Sequence, residues 1–132
     1  IMSVNHSVSD LVSIIKNGFT ASKKTVNSPA SKLRAAILDI LKNEGYILGY
    51  AVAKKGGFDS YIISLKYDLG KSVVNDIKVV SKPGRRIYRS FDDIPVVKNG
   101  LGTVIVSTSK GVLADHDAVA NKVGGEVLLQ IF

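Results

Sequence analysis

The sequence predicts an α/β fold of the α+β kind, in which an N-terminal domain of two helices and a β-hairpin packs on a mainly β C-terminal domain. Apolar residues recur at helical spacing before Gly45, and the period changes to two from Tyr46. The stretch Asp68-Leu69-Gly70-Lys71 then interrupts the pattern. We therefore expect an N-terminal α/β domain at 1–69 and a C-terminal, mainly β domain at 70–132.

The first predicted element is an amphipathic helix. Ser7 and Asp10 fit a capping pair at its start, and Asn17-Gly18 fits its end. Ile14 lies off the apolar stripe, so we expect it to be exposed. The stripe itself consists of Val8, Leu11, Val12, Ile15 and Phe19.

A second helix is predicted to begin at Ser28-Pro29, a cap followed by a first-turn proline, and to end at Gly45. Its apolar face is expected to comprise Leu33, Ala36, Ile37, Ile40 and Leu41. A hairpin follows, with strands at 46–52 and 60–67 and a turn at Lys55-Gly56-Gly57. Its inward side chains should cover both helical stripes.

The second half contains shorter elements with mainly strand-like patterns. We expect Asp115 to cap the short helix in this half. Strands are predicted at 73–80, 85–89, 102–107 and 125–132, turns at 82–84 and 109–111, a helical turn at 92–98 that ends at Asn99-Gly100, and a short helix at 115–122.

Charge is the strongest bulk signal. Eighteen Lys and Arg against eleven Asp and Glu give a net charge of +7, which favours a polyanionic partner. The lack of cysteine excludes disulfides and thiolate metal sites and favours a reducing compartment. No apolar run is long enough to span a bilayer, and the N-terminal residues do not resemble a secretory signal. Nucleic acid is therefore favoured, with no membrane and no small-molecule substrate.

Catalysis has weak support in the sequence. Asp115-His116-Asp117 is the best acid–base or metal candidate, but it lacks obvious converging partners, so these side chains are expected to be solvated. Asp92-Asp93 is typical of first-turn carboxylates of a helix. We therefore expect no catalytic residue, no cofactor and no metal, and a small hydrolase built on residues 115–117 is the weaker alternative.

Two segments could bind nucleic acid. Arg86 and Tyr88 alternate with Ile87, so they share the strand face opposite it, as stacking on an unpaired base and holding its phosphate would require. The alternative is a half-buried Tyr88 beside an ion-paired Arg86. In the stretch VSTSKG, the hydroxyls of Ser107, Thr108 and Ser109 precede Lys110 and Gly111, which suits ribose, phosphate and base edges. A Ser-rich turn without a ligand explains this stretch equally well.

Several segments, in order along nearly the whole chain, resemble the small-subunit ribosomal protein eight family in its bacterial or organellar form. Val106 to Gly111, preceded by Gly100-Leu101-Gly102, is the most specific of them. The others are Asp10-Leu11 with Lys16-Asn17-Gly18, Ser31-Lys32-Leu33, Asn43-Glu44-Gly45-Tyr46-Ile47, the run from Val80 to Tyr88, and Gly124-Gly125-Glu126.

The resemblance implies a structural constituent of the small ribosomal subunit. Such a protein binds the central domain of small-subunit rRNA, nucleates assembly, contacts neighbouring small-subunit proteins, and in bacteria can repress its own messenger. The cytoplasm of a bacterium is then the expected location, with an organellar ribosome as the other setting. The implied RNA-binding residues are Ser107, Thr108, Ser109, Lys110, Gly111, Arg86, Tyr88, Lys82, Gly84, Gly125, Glu126, Asn17 and Lys32.

Three positions depart from the family pattern. Ile14 stands where bacterial members usually carry arginine, and His116 and Val119 replace residues that are often basic. Fewer phosphate contacts, or a protein neighbour in their place, are then expected at these edges. A nonspecific RNA-binding protein outside the ribosome is the main alternative function.

Overall fold

The computed structural model describes residues 4–55, 57–82, 84–95 and 102–132. The helices are α1 (Val4–Thr20), α2 (Lys32–Asn43) and α3 (Asp115–Ala120). The strands are β1 (Thr25–Pro29), β2 (Ile47–Lys55), β3 (Phe58–Leu65), β4 (Tyr67–Asp68), β5 (Lys71–Ser72), β6 (Ile77–Val79), β7 (Tyr88–Arg89), β8 (Thr103–Thr108), β9 (Gly111–Ala114) and β10 (Gly125–Ile131). Helices and antiparallel sheets in this arrangement confirm the predicted α+β class.

The first half contains a three-stranded antiparallel sheet in the order β1-β3-β2. The hairpin of β2 and β3 confirms the predicted one, and Tyr61, Ile63 and Leu65 point to the core as expected. Helices α1 and α2 both contact this sheet, and α1 also contacts α2. The buried face of the sheet therefore packs against the apolar stripes of both helices.

The second half contains a five-stranded antiparallel sheet. Its order is β6-β10-β8-β9, and β7 pairs with the beginning of β10 on the side of β6. Strand β8 is buried on both faces, because Ile105 packs into one hydrophobic cluster and Val104 and Val106 into another. The smaller cluster lies under α3, where Ala118 is fully buried.

The larger hydrophobic cluster includes residues from both halves. Leu11 and Ile37 from the helices pack in the same cluster as Ile77, Leu129 and Ile131 from the second sheet. The Tyr46 hydroxyl lies 3.4 Å from the Ile131 carbonyl oxygen, which adds a polar link within this core. The strands of the two larger sheets fall on their own side of the predicted boundary, whereas the two-stranded sheet of β4 and β5 spans it, and the division at 69/70 stays a prediction.

Helix α1 differs from its prediction at both ends. It continues through Thr20, so Asn17-Gly18 does not end it. A Cβ on Gly18 would lie 2.5 Å from Val26 Cγ1, so this glycine permits close packing of α1 on β1. The expected exposure of Ile14 was also wrong, since the side chain packs partly buried against the large cluster. Ser7 and Asp10 do not cap the helix, because it begins at Val4; their side chains bind the Arg34 side chain instead.

Helix α2 begins three residues later than predicted. Ser28-Pro29 belongs to β1, which pairs with β3, and the cap is Ser31, whose hydroxyl accepts a hydrogen bond from the Arg34 backbone amide at 3.1 Å. The buried face is also rotated from the predicted stripe and consists of Arg34, Ile37, Leu38 and Leu41. The predicted end is confirmed, since Gly45 follows the helix with φ of +84°.

Several predictions in the second half were wrong in detail. Residues 92–95 form no helix, and the Ser90 hydroxyl donates to the carboxylate of Asp92. Residues 96–98 and Asn99-Gly100 lie outside the described residues, as do Gly56 and Pro83 of two predicted turns. Ala114 precedes α3 as its cap residue without a side-chain hydrogen bond, so Asp115 does not cap that helix. Strand β9 was not predicted at all.

Candidate nucleic-acid interface

Three predicted site residues stand side by side on adjacent strands. Strand β10 pairs Glu126 with Tyr88 of β7 on one side and with Ser107 of β8 on the other. Directly opposed residues of antiparallel strands present their side chains on the same face. The row Tyr88–Glu126–Ser107, together with Arg86 and the hairpin tip Ser109-Lys110, forms what we name the polar platform.

The tip of the platform is a tight hairpin between β8 and β9. Thr108 pairs with Gly111, so Ser109 and Lys110 form the connection, and both are exposed. The Thr108 hydroxyl accepts from the Lys110 amide at 3.1 Å and donates to the Gly111 carbonyl at 2.7 Å. Gly111 has φ of +109°, which favours glycine. Thr108 and Gly111 therefore shape the turn, and Ser109 and Lys110 project from it.

Glu126 occupies the centre of the row. It is 9% exposed, and its Oε2 atom has no hydrogen-bond partner among the described residues. A buried carboxylate oxygen without a donor is costly in a folded protein. The atom is thus a buried acceptor without a donor, in a row whose other two side chains, Tyr88 and Ser107, carry hydroxyl groups.

The backbones of β7, β8 and β10 meet closely at two glycines. A Cβ on Gly125 would lie 2.0 Å from the Ser107 carbonyl oxygen, and one on Gly124 would lie 2.3 Å from that of Arg89. These are backbone atoms, so a flexible side chain cannot simply move away. Gly125 therefore allows β10 to approach β8 closely enough for Glu126 to lie beside Ser107.

A short loop supports the basic edge of the platform. Lys82 and Arg85 form an isolated bridge across Gly84, and the buried Ser81 hydroxyl accepts the Ile87 amide at 2.9 Å. Arg86 is exposed and makes no ion pair within the described ranges, and Tyr88 is 58% exposed. Ser81 was missed as a support residue, although its place before Lys-Pro-Gly is typical of turn chemistry.

Two predicted residues lie elsewhere. Asn17 is exposed on α1, and Lys32 is exposed at the first position of α2, beside β1 and β3. Among the described contacts, none links either side chain to the polar platform. Their predicted RNA contacts would therefore require a second surface.

The side chains of Asp115-His116-Asp117 were expected to be solvated, but His116 makes contacts within the molecule. His116 Nε2 bonds Glu44 at the end of α2, and His116 Nδ1 lies 3.3 Å from an Asp117 carboxylate oxygen. In the described part of the chain, no group of three or more His, Asp or Glu could hold a metal ion. The segment instead joins the two halves of the molecule.

This pair gives a testable pH dependence. The hydrogen bond to Glu44 raises the pKa of His116 above 6.5; burial opposes the rise, and the charges of Glu44, Asp117 and Asp115 support it. Because the pKa is raised on folding, the stabilisation is complete below about pH 6.5 and is lost as pH rises through the folded pKa. His116 is largely exposed, so the effect should be below about 1 kcal/mol.

Urea unfolding of the wild type and of His116→Gln, measured from pH 5.5 to 9, would check this expectation. The difference in unfolding free energy between the two proteins should shrink as pH rises. His6 remains in both proteins, so its titration cancels in the comparison. A difference that stays constant with pH would contradict the expected role of the pair.

None of the described helices is both long and apolar enough to cross a membrane.

Comparison with known proteins bears on the whole chain. The family model for Ribosomal protein S8 matches residues 6–132. The chain is 50% identical over 131 residues to Small ribosomal subunit protein uS8 of Hyphomonas neptunium, which covers 99% of the chain and 100% of that protein. It is 51% identical over 132 residues to the protein of the same name from Rhizobium rhizogenes, with 99% and 100% covered. The similarity spans both sheets and every element of the polar platform.

Proposed function

Because the chain belongs to the ribosomal protein S8 family, we propose that it is a structural component of the small ribosomal subunit and binds small-subunit rRNA through the polar platform. The observation that carries this proposal is the row Tyr88–Glu126–Ser107 beside the projecting Lys110. Membership of a structural, non-enzymatic family confirms the expectation that the protein is not an enzyme.

Each platform residue has a distinct chemical task in this proposal. The exposed Tyr88 ring stacks on an unpaired base, and Arg86 and Lys110 neutralise phosphates. The Ser107 and Ser109 hydroxyls reach ribose 2′-hydroxyl groups and phosphate oxygens. Glu126 accepts from base N–H or ribose O–H donors, because its negative charge repels phosphate. A platform with both cations and a buried acceptor favours folded RNA with displaced bases over a uniform duplex.

The subunit role follows from the family. We propose that the chain binds the central domain of the rRNA early, helps nucleate assembly there, and remains among neighbouring small-subunit proteins. The bacterial relatives favour the cytoplasmic ribosome as its location. Repression of its own messenger would use the same platform, if that messenger presents a similar RNA fold.

The double substitution Ser109→Ala with Lys110→Ala tests the platform directly. Loss of a charge-assisted phosphate contact and a hydroxyl contact should raise the Kd for the cognate rRNA fragment by about ten- to a hundredfold. The slope of log K against log salt should become shallower by about 0.7–0.9, as one phosphate contact is lost. Titration over a range of salt concentrations measures both quantities.

A matched control is Ser13→Ala with Lys24→Ala, which removes the same groups from exposed positions in the first half. Its affinity should stay within about twofold of the wild type, since overall charge acts only weakly at physiological salt. Unchanged binding of the folded platform variant would remove this surface from the proposal. Equal affinity for bulk RNA and the rRNA fragment would instead favour the nonspecific binder.

A further inference from the structure

Strand β2 is the longest edge strand in the described part of the chain. The sheet order β1-β3-β2 leaves one side of its nine residues without a described partner strand. The other described sheet edges are short: β1 has five residues and ends in Pro29, β9 has four, and β6 has three. Short strands and proline are common protections against unwanted strand pairing.

The middle of β2 carries no such protection. The segment Ile-Leu-Gly-Tyr-Ala-Val-Ala at 47–53 has no charged residue, and the first cations come at Lys54 and Lys55. Leu48 is 63% and Val52 61% exposed. An irregularity between Ile47 and Gly49 disturbs only the beginning of the strand. An exposed, apolar edge of this length is expected to be covered in the functional state.

The face of the β1-β3-β2 sheet that points away from the core indicates what kind of molecule covers β2. Along β1, residues 49–53 of β2 and residues 60–64 of β3, the strand register places nine uncharged residues on the face opposite the core, and Lys55, which pairs with Phe58, continues this face only at the end of β2. The uncharged residues are Thr25, Asn27, Pro29, Gly49, Ala51, Ala53, Ser60, Ile62 and Ser64. Part of this face lines an open groove of about 1070 Å³, and the charged residues Lys32 and Asp59 line the groove as well. RNA binding requires cations that neutralise phosphates, and the central part of this face carries none, because Lys55 and Lys32 lie only at its margins.

We propose that β2 accepts an extended segment of a neighbouring protein as an additional antiparallel or parallel strand. The backbone of that segment would satisfy the free N–H and C=O groups of β2. Its alternate apolar side chains would cover Val52 on one side of the sheet and Ala51 with Ile62 on the other. The surface is separate from the polar platform, and only the neighbour's identity as a small-subunit protein rests on the proposed function.

Val52→Lys tests the proposal, because the side chain is exposed in the free chain and the new charge would enter the added sheet. The release rate of the chain is measured from rRNA alone and from rRNA assembled with total small-subunit protein lacking this chain. Wild type should leave the assembled particle at least about tenfold more slowly than rRNA alone. Val52→Lys should lose that slowing and match wild type on rRNA alone.

Leu69→Lys is the matched control, since it adds the same charge at a residue that is 96% exposed in the turn between β4 and β5. It should retain the slow release. Equal slowing of Val52→Lys and wild type would overturn the proposal. Tighter binding of Val52→Lys to rRNA alone would show that RNA covers β2. Dimerisation of the wild type that Val52→Lys abolishes would show that a second copy of the chain covers it. Either result would overturn the proposal that a neighbouring protein supplies the added strand.

Amide hydrogen exchange of the wild type gives a second measurement that needs no variant. In the free chain, the outward-facing amides at residues 49–53 should exchange quickly, because they lack a partner strand. Assembly with proteins should slow those alternate amides by about tenfold or more, whereas assembly with rRNA alone should not. Failure of the platform to bind rRNA would abolish both assemblies and so remains distinguishable from failure at β2.

Discussion

Substitution of Asp10 by alanine should lower the free energy of unfolding by about 3 kcal/mol, because it leaves a buried guanidinium without its counter-charge. Arg34 is 2% exposed on the inner face of α2. Its Nη2 donates to the Asp10 carboxylate at 2.7 Å, its Nη1 to the Ser28 hydroxyl at 2.6 Å, and its Nε to the Ser7 hydroxyl at 3.1 Å. This single side chain therefore joins α1, β1 and α2.

The estimate takes the low end of the range for broken buried pairs. The Asp10 side chain is 42% exposed, and two hydroxyl acceptors remain after its removal. For a chain of this size, the loss corresponds to a fall in Tm of about 10 °C. Calorimetry together with urea unfolding would measure both values.

A double-substitution cycle separates the pair from its surroundings. Arg34→Met keeps much of the apolar volume and removes the charge, so its combination with Asp10→Ala should cost less than the sum of the two single changes. Asp68→Ala is the control for removing a carboxylate from an exposed position, here in a hairpin, and it should cost less than about 0.5 kcal/mol. Additive single and double variants would contradict the coupling.

Arg34 also shows what the sequence could have revealed. Arg34, Ile37, Leu38 and Leu41 follow the i, i+3, i+4, i+7 spacing of a buried helix face. The prediction chose the stripe of Leu33, Ala36, Ile37, Ile40 and Leu41 instead, which consists of apolar residues alone. An arginine on the core side of a helix is normally disfavoured by its desolvation cost. Only the approach of Asp10, Ser7 and Ser28 from other elements makes the position tolerable, and helix periodicity carries no information about them.

Strand β1 was missed for a related reason. Its inward residues are Val26 and the polar Ser28, so apolar alternation is almost absent. Ser28 is buried because it accepts from Arg34, and this contact depends on the assembled fold. By contrast, the hairpin of β2 and β3 was predicted correctly, since its buried residues alternate over a long, apolar strand.

The candidate site was predictable in composition but not in arrangement. The motifs containing Tyr88, Ser107 and Glu126 were each recognised as segments. Their alignment depends on β10 lying between β7 and β8, a pairing between residues far apart in the chain. Neither turn chemistry nor charge specifies such a register, which is set by the packing of the buried strands.

Substitution of Gly125 by alanine should destabilise the protein by about 2–3 kcal/mol, the cost of forcing an extra methyl group into a well-packed region. The new Cβ would meet Ser107 carbonyl oxygen at 2.0 Å and Thr108 Cα at 3.1 Å. Relief requires β10 to move away from β8. That movement would displace Glu126 from Ser107, so RNA affinity should fall by about tenfold or more in molecules that remain folded.

Gly84→Ala provides the control for stability. No atom lies within 4 Å of a Cβ at this position, so its unfolding free energy should change by less than about 0.5 kcal/mol. Urea unfolding measures the stability of both variants, and rRNA titration at a temperature where each is folded measures the affinity. Normal affinity in folded Gly125→Ala would mean that the alignment of Glu126 with Ser107 is not needed for binding. In that case, the projecting hairpin tip and Arg86 alone would have to account for RNA recognition.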